Sequence, residues 1–525
     1  ATLHSASHHV CATRKEQRPF AMSSSPEFPE TLTAVDLVVV TSAFGSDGDV
    51  GPMLALARET RRVAPSTTRV VFVSNPKFEP PEAHPFGDHE KDEPRLEFIG
   101  VGTEREYEEL LNNSEKRRNK LTLPHFWMGH LQEHFRVLKT VTGYDVPSVS
   151  RKEKVVAVTH PLDLAARCFE EYLLLSDDGT SNKQITCVTA VLSPAMLRCE
   201  DVRSPVFGGC LGGCITKSPK LAWSVRDLMV DVAFAKKLNA FRRQLLKTTQ
   251  TTYVPVTGVY KDWFLCHGGV LAMWPAWFGG AHPDWPKTVA QLGFPGEGGG
   301  KKTVSTEASS PSTTQVTRFL DSAVRDETRV WVFMVSSGNP PHSASFFKAA
   351  VCAAAKAGVH AVLLTKHERA VPSLEEIERL RKKNAPKRKQ LNLSFLPRTK
   401  TIHVPHCDLR LVLSHPGVAG VVHSGGVGTT AVALTTGTPQ IIVPNAWDQH
   451  DNAARAKRLG VATEISVKSF SAGRAGKIAR SMHALDVKRG QVGSDKLEKG
   501  RTLDGDPTSW GGTRRAAKHV LGFGR

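Results

Sequence analysis

Short apolar runs rich in β-branched residues alternate along this chain with longer segments whose apolar positions recur at helical spacing. Residues 35–41 form the first run, residues 42–48 read as a loop, and residues 52–63 carry a helical pattern. Strand, loop and helix in that order open an α/β unit. Further strands are predicted at 69–74, 96–101 and 155–159, with helical stretches such as 162–175 between them. After a segment rich in Gly, Ser, Thr, Lys and Pro the alternation resumes, with strands at 330–335, 361–364, 418–422 and 440–443 and a helix at 345–357. Alternating β and α elements imply mostly parallel sheets. The pattern divides the chain into a segment 1–34 that is disordered or a targeting sequence, an α/β half 35–295, a linker 296–328, a second α/β half 329–470 and a basic tail 471–525 with helical potential. Two Rossmann-like halves joined by a linker predict a cleft between them.

The richest local chemistry lies in the second half. Val421-Val422-His423-Ser424-Gly425-Gly426-Val427-Gly428-Thr429-Thr430 reads as a buried strand, a glycine turn and a helix start. Glycines let backbone N–H groups approach an anion, and a helix N-terminus favours negative charge, so the segment is a candidate diphosphate cradle. The bland alternative is an ordinary strand-to-helix turn. Asp448 and Gln449 fall just past the next strand, at the edge where open α/β sheets bind ligands, and a carboxylate and an amide there suit sugar hydroxyls.

Several motifs in both halves together resemble one family. Gly45-Ser46-Asp47-Gly48-Asp49-Val50-Gly51-Pro52 is similar to a Gly-Ser-x-Gly-Asp-Val-x-Pro loop, and His160-Pro161-Leu162, Pro283-Asp284-Trp285-Pro286 and Gly293-Phe294-Pro295 add further parallels. With the segment around His423 and Asp448-Gln449-x-Asp451-Asn452, they resemble nucleotide-sugar-dependent glycosyltransferases of the GT-B architecture, in the branch of sterol glucosyltransferases and bacterial natural-product enzymes. The resemblance implies two Rossmann-like domains with parallel sheets facing across a cleft, the first binding an acceptor and the second a nucleoside diphosphate sugar, UDP-glucose by family habit. It implies that His423, Gly425, Gly426, Gly428 and Thr429 hold the diphosphate and that Asp448 and Gln449 contact the sugar. The nucleotide sugar is a co-substrate; no cofactor and no metal are expected.

Inversion at the anomeric carbon needs one base beside the acceptor hydroxyl. Asp49 is the candidate. The same residue also suits the cap of the following helix, and one oxygen cannot easily serve both roles. His160 is a candidate lining residue of the cleft, against the alternative of a structural loop histidine. Ser337, in the loop after the first strand of the second half, is a further candidate donor contact. Aromatic residues in the first half, among them Phe126, Trp127, Trp223, Trp263, Trp274 and Trp277, suit a small hydrophobic acceptor such as a sterol or other lipid, although filling a core is their usual role.

Composition narrows the alternatives. At 525 residues the chain exceeds one ordinary core. No run approaches the roughly 18–20 apolar residues that span a bilayer. The formal charge of +18 is concentrated around 379–389 and after Lys468, without interleaved aromatic residues, so nucleic acid is not an expected partner. A solvated loop and tail are expected there, with peripheral contact to an anionic membrane as the alternative. Nine cysteines, an odd number, read as reduced thiols, and Cys210 and Cys214 make a poor zinc signature. Residues 1–20 have the composition of an organellar transit peptide, but Met22 resembles a natural start and no secretory core is present, which favours the cytosol. Competing functions on the same architecture are a nucleotide-sugar 2-epimerase and a non-catalytic nucleotide-sugar-binding protein docked through basic segments. A dinucleotide dehydrogenase is disfavoured because no strand is followed by Gly-x-Gly-x-x-Gly.

Overall fold

In the computed structural model the first half is a βα array. It runs through β1 (Leu37–Ser42), α1 (Asp47–Val63), β2 (Thr68–Ser74), β3 (His84–Pro85), β4 (Leu96–Gly100), α2 (Leu131–Val141), β5 (Lys154–Thr159) and α3 (Leu164–Ser176). It continues with β6 (Ile185–Val191), the 28-residue α4 (Pro219–Leu246), β7 (Val270–Ala272) and β8 (Val289–Gln291). The eight strands form one sheet in the order β3-β4-β2-β1-β5-β6-β7-β8, with every pair parallel. The structure describes residues 37–85, 96–109, 129–142, 154–176, 185–199, 218–246, 259, 263–295, 310–335, 342–384, 399–445, 448–488 and 511–523.

The second half begins at α5 (Pro311–Arg325) and β9 (Val330–Met334), followed by α6 (Ser343–Ala357), β10 (His360–Leu364), α7 (Leu374–Asn384), β11 (Thr401–Val404) and α8 (Leu409–Ser414). Then come β12 (Val418–His423), α9 (Val427–Thr435), β13 (Gln440–Ile442), α10 (Gln449–Arg458), β14 (Ala462–Glu464) and α11 (Ala475–Lys488). Its six parallel strands take the order β11-β10-β9-β12-β13-β14. Helices cover both faces of such sheets, which is why central strands read as unbroken apolar runs: all residues of β1, β10 and β12 are buried. In each sheet the chain reverses its direction of growth once, between β1 and β5 and between β9 and β12. The crevice past the carboxyl ends of strands at such a reversal is where this fold class takes ligands. The segments after β1, β5 and β12 carry Asp49, His160 and the glycine-rich turn.

Three expectations change. Much of the expected linker, Pro311–Arg325, is helix, because Val316, Leu320 and Ala323 recur at helical spacing and pack into the core of the second half. The basic insertion is helical over Leu374–Asn384, with Ile377 buried against the α6 layer and its charges on the other faces. The described parts of the tail are packed helices rather than a solvated appendage. Helix α11 buries Ile478, Ala479, Met482 and Leu485 in the second half, whereas α12 (Gly512–Phe523) returns to pack on α1 with Ala516, Ala517, Val520 and Leu521 inside the core of the first half. Burying side chains the size of Val520 and Leu521 contributes about 1.5–3 kcal/mol each.

Trp223, Trp263 and Trp274 are buried and Trp277 is partly buried against its neighbours, so these aromatic residues fill cores; Phe126 and Trp127 lie outside the described residues. The cysteines at 168, 187, 266, 352 and 407 are free and buried, Cys199 is buried, and Cys210 and Cys214 lie outside the described residues. Among the described residues no helix is long and apolar enough to cross a membrane.

Candidate functional site

Helix α1 begins earlier than its apolar pattern suggests. Ser46 occupies the cap position, and Asp49, three residues on, reaches back with Oδ2 to accept from the Ser46 backbone N–H at 2.8 Å and from Ser46 Oγ at 2.9 Å. This is a capping box. The chain can turn so tightly because Gly45 sits at φ +149°, where an added Cβ would lie 2.5 Å from Asp49 Oδ2. The other oxygen, Oδ1, points elsewhere, 3.8 Å from His160 Nε2. The structural and chemical readings of Asp49 therefore fall on different oxygens of one carboxylate, and the side chain retains 32% exposure.

His160 is buried just after β5, and its Nδ1 accepts from the Leu162 backbone N–H at 3.3 Å. The neutral ring then carries its proton on Nε2, the nitrogen facing Asp49. Burial pulls the ring below its ordinary pKa, against the opposing pull of Asp49 and Asp163. Among the described residues Nε2 has no hydrogen-bond partner. A neutral ring 3.8 Å from Oδ1 leaves the charge of that carboxylate in place. Behind it Asp163 accepts from Ser42 Oγ and from the Ala166 N–H at 3.1 Å, and faces His134 Nδ1 at 3.1 Å. Burial opposes ionisation of Asp163, but His134 and these donors outweigh it and hold the carboxyl below its usual range. Ser42, Asp163 and His134 are not a hydrolytic relay, since the carboxylate rather than the imidazole lies in the middle. Phe44, Leu131, His134, Leu162 and Leu164 line a small cavity beside this network.

On the opposite sheet, β12 delivers His423 into the interior. Its Nδ1 accepts from the Gly425 N–H at 3.0 Å, so Nε2 carries the proton and donates to Gln440 Oε1 at 2.9 Å. Burial lowers the ring to about 4, so it is neutral. Both ring nitrogens of His423 are engaged inside the fold, so the residue fixes the turn of the expected diphosphate cradle. Gly425 takes φ +91° in that turn. Gly426 then caps α9, and Gly428 and Thr429 fall in its first turn, where backbone N–H groups lack intrahelical partners and the helix presents positive charge. Ser337 lies outside the described residues.

Asp448 and Gln449 open α10. Gln449 Oε1 accepts from the Asn445 N–H at 2.8 Å. Asp448 is half-buried; loss of hydration raises its pKa to about 6, and the charges of Asp49 and Asp451 push the same way while Asn452 opposes. The charge of Asp49 thus reaches Asp448, so the loops that carry the two carboxylates lie within electrostatic reach of each other. Asn452, fully buried, ties the crevice together: its Nδ2 donates to the Gly425 carbonyl at 3.0 Å and to Asp448 Oδ2 at 2.9 Å, and its Oδ1 accepts from Ser193 Oγ of the first half at 3.3 Å. Arg455 is paired with Asp451 at 2.6 Å and donates to the Phe278 carbonyl, also in the first half, at 3.2 Å. Lys366 Nζ lies 3.8 Å from Asp47. Asn452 and Arg455 were not singled out from sequence as site residues, although their signal is present: positions 448 and 452, and 451 and 455, are one helical turn apart and must share faces of α10.

The raised pKa of Asp448 has a stability consequence. The folded state favours the protonated form, so ionising it costs stability above pH 6 and costs nothing near pH 4. Asp448→Asn keeps an oxygen for Asn452 and removes the charge. Thermal unfolding should show the variant more stable than the parent by about 1–2 kcal/mol at pH 7.5, with the gain vanishing towards pH 4.

The same architecture occurs in solved enzymes. The glycotransferase of kitacinnamycin superposes with a TM-score of 0.56 at 16% identity, covering 94% of this chain and all of that one. The calicheamicin glycosyltransferase CalG4 gives 0.54 at 15% identity, covering 94% and 98%. The fold is GT-B. Within it, residues 386–492 match the family of the erythromycin biosynthesis protein CIII-like C-terminal domain. Local sequence similarity is to enzymes of the same kind: 44% identity over 61 residues to O-mycaminosyltylonolide 6-deoxyallosyltransferase of Streptomyces fradiae, and 52% over 44 residues to vancomycin aglycone glucosyltransferase of Amycolatopsis orientalis. These alignments span 12% and 8% of this chain and 14% and 11% of the two relatives. The GT-B crevice of this chain is thus bounded by the Asp49 loop on one side and by the Gly425 turn with α10 on the other.

Proposed function

We propose that this chain is an inverting glycosyltransferase that moves a hexose from a nucleoside diphosphate sugar to a hydroxyl of a small hydrophobic acceptor. The observation that carries this reading is the division of Asp49: Oδ2 is spent on the helix cap, while Oδ1 stays available in a crevice that also contains Asp448. In the reaction the acceptor oxygen attacks the anomeric carbon, the bond from that carbon to the diphosphate oxygen breaks with its electron pair, and the hydroxyl proton passes to Asp49 Oδ1. A carboxylate is a weak base toward an alcohol, so the transfer runs with the attack rather than before it. The growing charge on the diphosphate meets the N-terminus of α9, whose donors are already oriented. Asp448 and Gln449 hold the sugar, and His423, Gln440 and Asn452 hold the turn that holds the phosphates. No metal enters this step.

UDP-glucose is the proposed donor. A Medicago truncatula structure of the same fold, TM-score 0.56 at 13% identity over 94% of this chain, was solved with UDP-glucose. The proposed acceptor is a lipid-like or other small hydrophobic alcohol, as the motif resemblance implies. A sterol is one such compound, and the relatives above are named for a tylonolide and a vancomycin aglycone. A cytoplasmic location, with peripheral contact to anionic lipid through the basic segments, completes the proposal. The test is a panel of nucleotide sugars screened for thermal stabilisation, followed by transfer to hydrophobic alcohols with the anomeric configuration of product read by NMR. A donor at 100 times its Kd should stabilise the protein by about 2.7 kcal/mol. Absence of stabilisation by every nucleotide sugar sinks the reading, and epimerised hexosamine released without an acceptor would replace it with the epimerase.

A further inference from the structure

Away from this crevice, Cys199, His282 and Asp284 gather from two separate segments of the first half. Cys199 is buried and follows a one-turn helix, Pro194–Met196, that leaves the end of β6; His282 and Asp284 lie in the connection from β7 to β8. One ligand atom from each, the Cys199 sulfur, a His282 ring nitrogen and an Asp284 oxygen, lie within 4.8 Å of one another. Among the described residues no other group of His, Cys, Asp and Glu converges in this way.

We propose that Cys199, His282 and Asp284 form a zinc-class metal site that fastens two loops of the first half beside their junction with the second. The donor set is the argument. A thiolate, an imidazole and a carboxylate are the ligands that Zn(II) combines, at about 2.3 Å to sulfur and about 2.0–2.2 Å to nitrogen and oxygen. A tetrahedral site at those lengths needs its ligand atoms about 3.3–3.7 Å apart. Closing from 4.8 Å therefore asks for shifts of about 1 Å. His282 and Asp284 are already drawn together, Nδ1 to Oδ2 at 3.3 Å, with the Asp284 N–H also donating to Nδ1 at 3.3 Å. Asp284 is exposed and gives the ion a path from solvent; Cys199 anchors the buried side. Charge closes as well: Zn(II) with one thiolate, one carboxylate and one neutral imidazole is a neutral centre, and solvent supplies the fourth ligand. On binding, the Cys199 S–H bond breaks, its proton passes to bulk water, and a Zn–S bond forms with no change of oxidation state.

The location gives the site its meaning. Ser193, six residues before Cys199, holds Asn452, and Phe278, four residues before His282, holds Arg455 through its carbonyl. Trp285, next to Asp284, packs edge-on to Trp274 at 5.8 Å in a cluster that includes Ala431, Leu434 and Val461 of the second half. A metal that ties these loops stiffens the surface on which α10 rests. Such a site departs from the expectation that the chain holds no metal.

The test uses the full chain, dialysed against chelator and titrated with Co(II) as the spectroscopic probe. The expected result is one equivalent bound with a thiolate-to-cobalt charge-transfer band and tetrahedral d–d bands. Zn(II) should displace the cobalt and raise the Tm. In Cys199→Ser the charge-transfer band should vanish, and in Asp284→Asn, an exposed and mild change, Co(II) affinity should fall about 10-fold or more, in the range seen when a metal site loses a supporting group. A Co(II) titration with no thiolate band, or a band that survives in Cys199→Ser, overturns the proposal.

Discussion

Asp49→Asn should lower kcat/KM for sugar transfer by about 10²–10⁴-fold while leaving the fold and donor binding close to those of the parent. The separation of effects follows from the two oxygens. An asparagine still offers one carbonyl oxygen to the Ser46 N–H and Oγ, which keeps the box that starts α1. Its amide nitrogen then occupies the place of Oδ1 opposite the His160 Nε2–H, so two donors face each other where a proton must be received. Initial rates with a saturating donor, together with thermal unfolding, read both halves of the expectation. Asp49→Ala should add a loss of about 1 kcal/mol, because the cap goes with the base. Transfer that proceeds unchanged in the asparagine variant would assign the base elsewhere, and the mechanism above would fall.

Gly425→Ala should cost at least about 10-fold in nucleotide-sugar affinity and about 1–3 kcal/mol of stability, the range for a residue held in a sparsely populated backbone region. Two independent constraints act at this position. Its φ of +91° is one that a side chain rarely adopts, and an added Cβ would sit 2.7 Å from Ile442 Cγ2 and 3.0 Å from the Gln449 carbonyl oxygen. The carbonyl cannot rotate away like a side chain, so relief requires moving the start of α10. That start carries Asp448 and Gln449, and Asn452 bonds the Gly425 carbonyl itself. Calorimetric titration with UDP-glucose and a parallel melting curve check the expectation. A full-affinity alanine variant would show that the turn is not part of the donor site.

The periodicity of the sequence located the two sheets because buried parallel strands leave a strong trace: Leu37–Ser42 and Val418–His423 are apolar on both faces. It placed α1 late because the first turn, Asp47-Gly48-Asp49, is polar, and it missed α5 because Pro311-Ser312-Thr313-Thr314 resembles linker composition while the apolar stripe starts only at Val316. Proline at the start of a helix and a capping serine before it, here Ser310, were the available signals. The site was legible as motifs and less so as geometry. Asp49, His160 and Asp448 could be named from chemistry and spacing, but the engagement of both His423 nitrogens depends on Gln440, seventeen residues away on a neighbouring strand, and no local pattern announces it. The contact of Asn452 with Asp448 follows from helical spacing, but its contacts with Gly425 and Ser193 join segments that only the folded chain brings within reach.

Helix α12 sets an order of events during synthesis. Its Arg515 side chain grips the Leu292 carbonyl at 2.6 Å, and Gly512 lies so close to Gly293 that a Cβ there would sit 2.0 Å from the Gly293 oxygen. Met53, Leu56 and Ala57 of α1, made some 450 residues earlier, share a core cluster with Ala516, Ala517 and Val520. Nascent domains generally close in order as they leave the ribosome, at about 5–20 residues per second. Here the first half emerges with one wall of its interior still unmade, and it must keep that wall covered by other means for tens of seconds. The half that carries Asp49 is thus the first to be started and the last to be finished.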